Sequence, residues 1–354
     1  MSLAISLAER GLVPDPLIRQ GIRRLLRERL AEQGRKPADA MLAWTAEMAR
    51  SPIALVPAAA NAQHYEVPPA FYEAVLGPQL KYSSALWEPG TSDLAAAERA
   101  MLAATVATAQ LADGQRVLEL GCGWGSLSLH MARTLPGARI TAVSNSAPQR
   151  AFILERAARE GLTNLSVLTA DMNTFQPPGR YDRVVSVEMF EHMRNWEALL
   201  GRLAGWLEDD GAVFLHVFAH RIYSYPYEDA GEGDWMARNF FTGGLMPSHD
   251  LISRLNIPFD EVERTWWSGP HYARTCEAWL ERLDAAREPV VALFAKDLGV
   301  REARRAFHRW RIFFLACAEL FAFDGGAQWG VSHHLLRPRQ GRPSVPSVAT
   351  LTPV

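Results

Sequence analysis

The sequence has almost no excess charge of either sign, and this limits its partners. Lys and Arg number 37 against 39 Asp and Glu, which leaves a net charge of −2. A protein dedicated to nucleic acid needs a basic surface that releases counterions from phosphates. The charge balance therefore argues against nucleic acid as a partner.

Cysteines and long apolar runs are also scarce. Cys122, Cys276 and Cys317 lie far apart and form neither a C-x-x-C motif nor an even disulfide framework, so we expect reduced thiols. No stretch reaches the roughly 18 uninterrupted apolar residues of a transmembrane helix, and the first residues lack the pattern of a secretory signal. These absences predict a globular protein of the cytoplasm.

The middle of the chain alternates between strand-like and helical patterns. Short runs rich in Leu and β-branched residues predict strands at 116–120, 139–143, 165–169, 183–187 and 212–217. Helical patterns at 127–135, 149–160 and 196–207 lie between them. This order predicts an α/β fold with a doubly wound, mainly parallel sheet of the Rossmann-like kind.

The remaining segments are expected to surround that sheet. Residues 1–60 read as a helical extension in which 15–33 form an amphipathic, Arg-rich helix. Docking on the body of the same protein is favoured for this helix, with adhesion to an acidic membrane surface as the alternative. The main domain is placed at 61–338, with cap segments at about 220–258 and 276–325, cap helices at 276–298 and 301–321, and late strands near 262–267 and 328–336. Residues 339–354 are expected to be disordered.

The first predicted strand runs into a glycine-rich loop. Gly121, Gly123 and Gly125 are spaced G-x-G-x-G, and Glu119 precedes them inside the strand, which departs from the dinucleotide fingerprint. Glycines there let the backbone approach a small molecule closely, although a tight turn alone would also use them. An alternating sheet with E-x-G-x-G-x-G at its first turn resembles the class I S-adenosylmethionine (SAM) dependent methyltransferases. The resemblance implies SAM as the cofactor.

Polar residues also follow the next two strands. Ser144, Asn145, Ser146 and Gln149 are placed to reach a ribose, and 171–172 reads Asp-Met. We expect Asp171 to accept the adenine amino hydrogens and Met172 to pack on the ring. Taken singly, Asp171 is equally typical of a turn or helix cap.

The fourth strand is followed by E-M-F-E-H-M at 188–193. Ligands in open α/β sheets bind at the carboxyl ends of strands, so this segment should face the glycine loop. If it enters a helix, Glu188, Glu191 and His192 share one face. Carboxylates attract an ammonium ion and His accepts a proton near neutrality, which predicts methyl transfer to an amine. A helix-start carboxylate with a hydrogen-bond partner is the alternative, and no H-E-x-x-H or Cys/His cluster supports a metal.

Several motifs together resemble the cyclopropane-fatty-acid synthase superfamily, and most closely its branch of coclaurine (benzylisoquinoline alkaloid) N-methyltransferases. The motifs are H-Y-E-V at 64–67, F-Y at 71–72, Y-S-S at 82–84, the glycine loop, E-M-F-E-H-M, F-F-T-G-G-L-M-P-S at 240–248 and H-Y-A at 271–273. The resemblance covers about 12–338 and implies a SAM-dependent enzyme with a helical cap.

The resemblance also implies roles for individual residues. Glu188 and His192 would handle the amine proton, with Glu191 beside them. Contacts to SAM would come from Tyr82, Ser83, Gly121, Gly123, Ser144, Asn145, Ser146, Gln149, Asp171 and Met172. The substrate would contact Tyr65, His216, Phe241, Tyr272 and Trp329. Trp329 would pack on the substrate's rings or cation, and an ordinary core Trp is the alternative.

Lipid cyclopropanation is the rival activity, because that branch uses a bound bicarbonate as its base. Glu191, His216 and Tyr272 of the ion's usual shell are present, but the family's Y-S-C reads Y-S-S here. A second anion beside Glu188 would be repelled. Cys317 aligns with a cysteine proposed as a nucleophile in lipid-modifying relatives, yet its apolar setting favours a structural role.

The sequence thus predicts a SAM-dependent N-methyltransferase that transfers a methyl group directly to an aromatic or tetrahydroisoquinoline-type amine. The alternatives are a cyclopropane-fatty-acyl-phospholipid synthase or lipid C-methyltransferase, with transient membrane contact, and a SAM-binding protein without catalysis. A homodimer is left open.

Overall fold

The computed structural model describes residues 3–55, 67–228, 231 and 234–339. Its helices are α1 (Leu3–Ala8), α2 (Asp15–Gly34), α3 (Ala40–Arg50), α4 (Pro69–Val75), α5 (Leu94–Thr108), α6 (Ser126–Thr134), α7 (Ala147–Arg159), α8 (Trp196–Trp206), α9 (Trp235–Asn239), α10 (Gly269–Ala285) and α11 (Arg287–Ala322). Its strands are β1 (Arg116–Leu120), β2 (Arg139–Ser144), β3 (Leu165–Thr169), β4 (Tyr181–Val187), β5 (Leu207–His220), β6 (Tyr225–Pro226), β7 (Leu245–Met246), β8 (Phe259–Ser268) and β9 (Trp329–Pro338). Tyr65 and residues 340–354 of the expected tail lie outside the described residues.

A seven-stranded sheet with the order β3-β2-β1-β4-β5-β9-β8 forms the centre of the molecule. The first five strands are parallel, and β9 runs antiparallel to both of its neighbours. Helices cover both faces of the parallel part, so β1 and the middle of β5 are buried, which explains why most of their residues are apolar. The predicted doubly wound α/β fold is confirmed.

The structure corrects the boundary between the two cap helices. The helical pattern predicted a break between residues 298 and 301, but α10 ends at Ala285 and α11 begins at Arg287. Pro289 lies in the first turn of α11, where its missing N–H costs nothing. Gly299, with a φ of 75°, kinks α11 at the position where the break was expected.

The N-terminal helix α2 packs on the cap rather than standing free. Ile18 and Ile22 pack against the core cluster that includes α11. Arg19 donates to Glu319 at 2.9 Å and to Glu277 at 2.6 Å. The structure therefore supports docking on the body of the same protein over adhesion to a membrane.

Candidate functional site

The glycine loop joins β1 to α6 with its backbone in the left-handed region. Gly121, Gly123 and Gly125 have φ values of 76°, 51° and 81°. A Cβ on Gly121 would lie 2.5 Å from the Cβ of Met189, so no side chain fits there. The loop is therefore held open to the carboxyl ends of β1 and β4, as a loop that approaches a ligand must be.

Most of the predicted cofactor contacts line a single cavity beside this loop. The residues that line it include Gly121, Gly123, Ser144, Asn145, Gln149, Asp171 and Met172, together with His192 from the E-H motif. Ser144 donates to Oε1 of Gln149 at 2.6 Å, which fixes the amide. Nε2 of Gln149 is buried and has no hydrogen-bond partner among the described residues, so it has a donor to offer a bound molecule.

Three predicted cofactor residues lie differently. Tyr82 and Ser83 line a second cavity, which meets the first at Gly121 and Gly123. Ser146 lies outside both described cavities and instead caps α7, where its hydroxyl accepts from the N–H of Gln149. Asp171 accepts from the N–H of Asn173 at 2.8 Å through one oxygen, so it is a turn residue as well as a cavity residue. A molecule such as SAM, with a cationic sulfonium, an amino-acid group and an adenine ring, fits these donors, the Asp171 carboxylate and the Met172 side chain.

Glu188 departs from the predicted geometry. Its φ of 50° is left-handed, and only a short 3₁₀ turn, Phe190–His192, follows it. The helix that would place Glu188, Glu191 and His192 on one face does not form. The left-handed residue reverses the chain direction at the end of β4, and the Glu188 N–H donates to the carbonyl of His216 at 2.8 Å.

Three donors converge on the carboxylate of Glu188. Oε1 accepts from the Ser84 N–H at 3.0 Å and lies 3.1 Å from Nε2 of His216, and Oε2 accepts from the Tyr272 hydroxyl at 2.5 Å. The Glu188 side chain is only 8% exposed. Burial raises the pKa of Glu188, while the charge of Lys81 and the Tyr272 hydrogen bond act to lower it. The donors suit the ionised form.

Glu191 is in a different state. One of its oxygens accepts from the Phe218 N–H at 2.7 Å, and the other is buried without a hydrogen-bond partner among the described residues. Burial, and then the negative charge of Glu188, raise the pKa of Glu191 well above its usual value. Both effects favour the protonated form of Glu191 over an anionic pair with Glu188.

His192 borders the cofactor cavity and lies flat against Phe241. The two rings are stacked with centroids 5.4 Å apart and planes 3° from parallel. Burial lowers the pKa of His192 to about 4, although the charge of Glu188 acts in the opposite direction. His192 is thus neutral near pH 7 and has a lone pair that can accept a proton.

The predicted substrate contacts divide into two groups. Phe241 and Tyr272 lie beside His192 and Glu188, as described. His216 and Trp329 have no exposed surface, so the structure corrects both predictions of direct substrate contact. Trp329 donates to the Tyr225 hydroxyl at 3.1 Å inside the core, which is the alternative that its sequence left open.

Lys81 is a site residue that the sequence analysis missed. Its ammonium is buried and donates to Oγ of Ser83 at 2.5 Å and to the carbonyl of Ser84 at 2.7 Å. Burial lowers the pKa of Lys81 to about 8, against the charges of Glu188 and Glu98. Lysine occurs only at 36, 81 and 296 in this Arg-rich chain, and a Lys directly before Y-S-S was the signal available.

Comparison with known proteins identifies the family of the chain. The model of the mycolic acid cyclopropane synthetase family matches residues 56–326. The chain belongs to this family. Among the family's relatives, (S)-coclaurine N-methyltransferase of Thalictrum flavum subsp. glaucum is 36% identical over 94% of each chain. The cyclopropane-fatty-acyl-phospholipid synthase of Escherichia coli (strain K12) is 30% identical over 63% of this chain and 56% of that protein.

A solved structure shows the same fold almost throughout. The crystal structure of coclaurine N-methyltransferase bound to N-methylheliamine and SAH matches with a TM-score of 0.90 and 35% identity, over 94% of this chain and 98% of that one. This member of the mycolic acid cyclopropane synthetase family is therefore a SAM-dependent methyltransferase, and SAM is its cofactor. No helix in the described part of the chain is long and apolar enough to cross a membrane.

Proposed function

We propose that this enzyme transfers the methyl group of SAM to the nitrogen of an aromatic amine of the tetrahydroisoquinoline type. The buried carboxylate of Glu188 beside the neutral imidazole of His192 is the observation that carries the proposal. The name of the coclaurine N-methyltransferase relative supports it, as does the N-methylheliamine bound in the similar crystal structure.

The surroundings of Glu188 suit a cation with an aromatic body. A carboxylate that is largely removed from water attracts an ammonium ion more strongly than a solvated one. Phe241 packs against Tyr227 with ring centroids 5.2 Å apart and against Phe218 at 5.5 Å. These aromatic faces favour stacking with a fused ring and contact with a positively charged nitrogen.

The chemistry requires that the amine lose a proton before it reacts. Bound SAM supplies a sulfonium methyl group, and the nitrogen lone pair forms the N–C bond while the electron pair of the broken C–S bond stays on sulfur. In our proposal, Glu188 draws in the ammonium form and His192 accepts its proton. The negative charge of Glu188 raises the pKa of His192, so it stabilises the imidazolium that results. Orientation of the nitrogen by these two side chains would supply much of the rate.

The same geometry argues against lipid cyclopropanation. A bicarbonate base would need the donors from His216 and Tyr272, but the carboxylate of Glu188 already accepts from both. A separate anion placed beside Glu188 would also be repelled. Cyclopropanation of a lipid, the activity named for the Escherichia coli relative, is accordingly the second candidate. The assay below separates it from N-methylation.

One labelled cofactor separates the two activities. The enzyme is incubated with SAM that carries a deuterated methyl group, and tetrahydroisoquinoline amines and unsaturated phospholipids are offered together. N-methylation retains every methyl deuterium, whereas cyclopropanation loses one. We expect labelled amine in the mass spectrum. Labelled lipid without labelled amine would refute the proposal.

A further inference from the structure

A line of hydrogen bonds leads from Glu188 across three strands to the edge of the sheet. Nε2 of His216, on β5, lies 3.1 Å from Glu188 Oε1. Nδ1 of His216 lies 2.9 Å from Nε2 of His333, which stands directly opposite it on β9. Nδ1 of His333 lies 3.1 Å from Nε1 of Trp267 on β8.

The chemistry of the last member sets the direction of every bond in the line. An indole N–H can only donate, so Nδ1 of His333 must be the acceptor. The proton of neutral His333 is then on Nε2, which donates to Nδ1 of His216. The proton of His216 is in turn on Nε2, which donates to Glu188. Hydrogen bonds that run in one direction polarise and strengthen one another.

We propose that Trp267 and His333 are positioning residues that hold His216 as a neutral hydrogen-bond donor to Glu188. The proposal rests on the N-methyltransferase function argued above and adds to it. The proton that leaves the amine then goes to His192 at the cofactor cavity, and it does not pass into the sheet through His216.

The line blocks protonation of either imidazole. A proton on Nδ1 of His216 would face the N–H of His333, and His333 could yield only by moving its own proton to Nδ1. The N–H of Trp267 occupies that side. Burial, and then the charge of Lys81, lower the pKa of His216 well below its usual value. Burial, followed by His216, lowers the pKa of His333 in the same way.

The other titratable groups around the line also favour neutral His216 and His333. Lys81 and His334 are the further groups whose charges lower the pKa of His333, and His334 is itself bonded to Glu261 at 2.6 Å. At the far end of the line, the groups that act on Glu188 or share its charge are Lys81, Tyr272, Ser84, His192 and Glu191. Among these, His192 is the neutral base that borders the cofactor cavity.

The first test needs no substrate. Nitrogen-15 labelled histidine is incorporated, and long-range proton–nitrogen spectra report which ring nitrogen of each histidine carries the proton. We expect the proton on Nε2 in both His216 and His333 of the unaltered protein between pH 6 and 8. A proton on Nδ1 of His216, or an imidazolium signal in that range, would overturn the proposal.

Two neighbouring tryptophans provide a matched pair of variants. Trp267→Phe removes the donor, whereas Trp266→Phe makes the same change at the adjacent residue, which packs on His249 and Arg221. We expect Trp267→Phe to give mixed tautomers of His333 and a protonation of the histidine pair at higher pH. Trp266→Phe should leave the spectra of His216 and His333 unchanged. Equal spectra for the two variants, with equal melting temperatures, would contradict the proposal that Trp267 fixes the tautomer of His333.

The second test measures kcat/KM for N-methylation of the amine that the unaltered enzyme turns over best. His333→Phe removes the donor to His216, and we expect kcat/KM to fall about ten- to a hundredfold, because Nδ1 of His216 is left as a buried acceptor without its donor. His333→Gln keeps an N–H near the position of Nε2 and should recover most of that loss. In Trp267→Phe the acidic limb of the kcat/KM profile should move to higher pH. Absence of any N-methylation would refute the proposed function, while the tautomer spectra would still test the positioning roles of Trp267 and His333. An unshifted acidic limb of the kcat/KM profile in Trp267→Phe would refute those positioning roles alone.

Discussion

The hydroxyl of Tyr272 donates to Oε2 of Glu188 at 2.5 Å and so joins α10 of the cap to the carboxyl end of β4. Tyr272 lies in the first turn of α10, and Glu188 directly follows β4. The cap therefore takes part in setting the protonation of the carboxylate. Burial also raises the pKa of the Tyr272 hydroxyl well above its usual value, so it remains a donor at every working pH.

Tyr272→Phe tests this link. The hydrogen bond from Tyr272 acts to lower the pKa of Glu188, so its removal should raise that pKa further. Glu188 would then lose its charge at a higher pH, and the acidic limb of the kcat/KM profile should move up. We expect kcat/KM to fall about tenfold or more, as for loss of a hydrogen bond to a charged group. Tyr223→Phe, where the ring stacks on His220, is the control and should keep the profile of the unaltered enzyme. An unchanged acidic limb in Tyr272→Phe would contradict the link.

Glu188→Gln should remove most of the activity without loss of shape. Glutamine can still accept from Ser84 but has no charge to attract the ammonium or to stabilise protonated His192. We expect kcat to fall by about 10²- to 10⁴-fold, the range for loss of acid–base assistance, and the affinity for SAM measured by calorimetry to stay unchanged. Glu155→Gln on the surface of α7 is the control.

Comparison with two further variants sharpens this prediction. Glu191→Gln should cost much less than Glu188→Gln, because burial and the charge of Glu188 raise the pKa of Glu191 and so favour its uncharged form. If the double variant Glu188→Gln with His192→Ala turns over every accepted amine at the normal rate, the proposed roles of both residues are wrong.

Two glycines of the cofactor loop should respond differently to alanine. At Gly121 a Cβ would lie 2.5 Å from Met189, whereas at Gly123 no atom lies within 4 Å. An alanine in the left-handed region lowers the free energy of unfolding by about 1–2 kcal/mol at either position, but only Gly121→Ala must also displace Met189. We expect Gly121→Ala to weaken SAM binding at least about tenfold more than Gly123→Ala, since about 1.4 kcal/mol corresponds to a factor of ten. Calorimetric titration with SAM measures this, and equal affinities would show that the contact is relieved easily.

Glu319 should make stability depend on pH in the acidic range. Burial acts to raise the pKa of Glu319, but hydrogen bonds from Arg23 and Arg19 outweigh it and hold the pKa below its usual value. A carboxyl group with a lowered pKa stabilises the fold above its unfolded pKa, and this stability is lost as pH falls through the folded pKa. Glu319→Gln should lower the free energy of unfolding at pH 7 by about 1–2 kcal/mol, since Arg23 is itself 52% exposed and its contribution is screened.

The measurement is denaturant unfolding at pH 7 and near pH 3. The difference between Glu319→Gln and the unaltered protein should shrink as pH falls, because Glu319 becomes protonated. Glu281→Gln, on the exposed side of α10, is the control and should change stability by less than about 0.5 kcal/mol. A constant difference at both pH values would show that packing, not charge, holds α2 to α11.

Local sequence patterns predicted much of the fold. The strands at 116–120 and 165–169 appear with the predicted bounds, because short runs rich in Leu and β-branched residues favour strands. β1 is almost fully buried, whereas β3, at the edge of the sheet, keeps exposed residues. The end of β4 was less predictable. Residue spacing allowed a helix over Glu188 to His192, but the left-handed φ of Glu188 depends on β5, whose His216 carbonyl accepts the Glu188 N–H.

The sequence by itself determined the order of strands and helices, the glycine loop with its cofactor class, and the presence of Glu188 and His192 at one strand end. Each of these depends on residues that are close together in the chain. Only the tertiary structure decided that Glu191 is buried beside Glu188, that Trp329 is a core residue, and that His216, His333 and Trp267 lie in one line of hydrogen bonds. Those states depend on burial and on the register of β5, β9 and β8, which bring together residues separated by tens of positions or more, and no local pattern encodes that pairing.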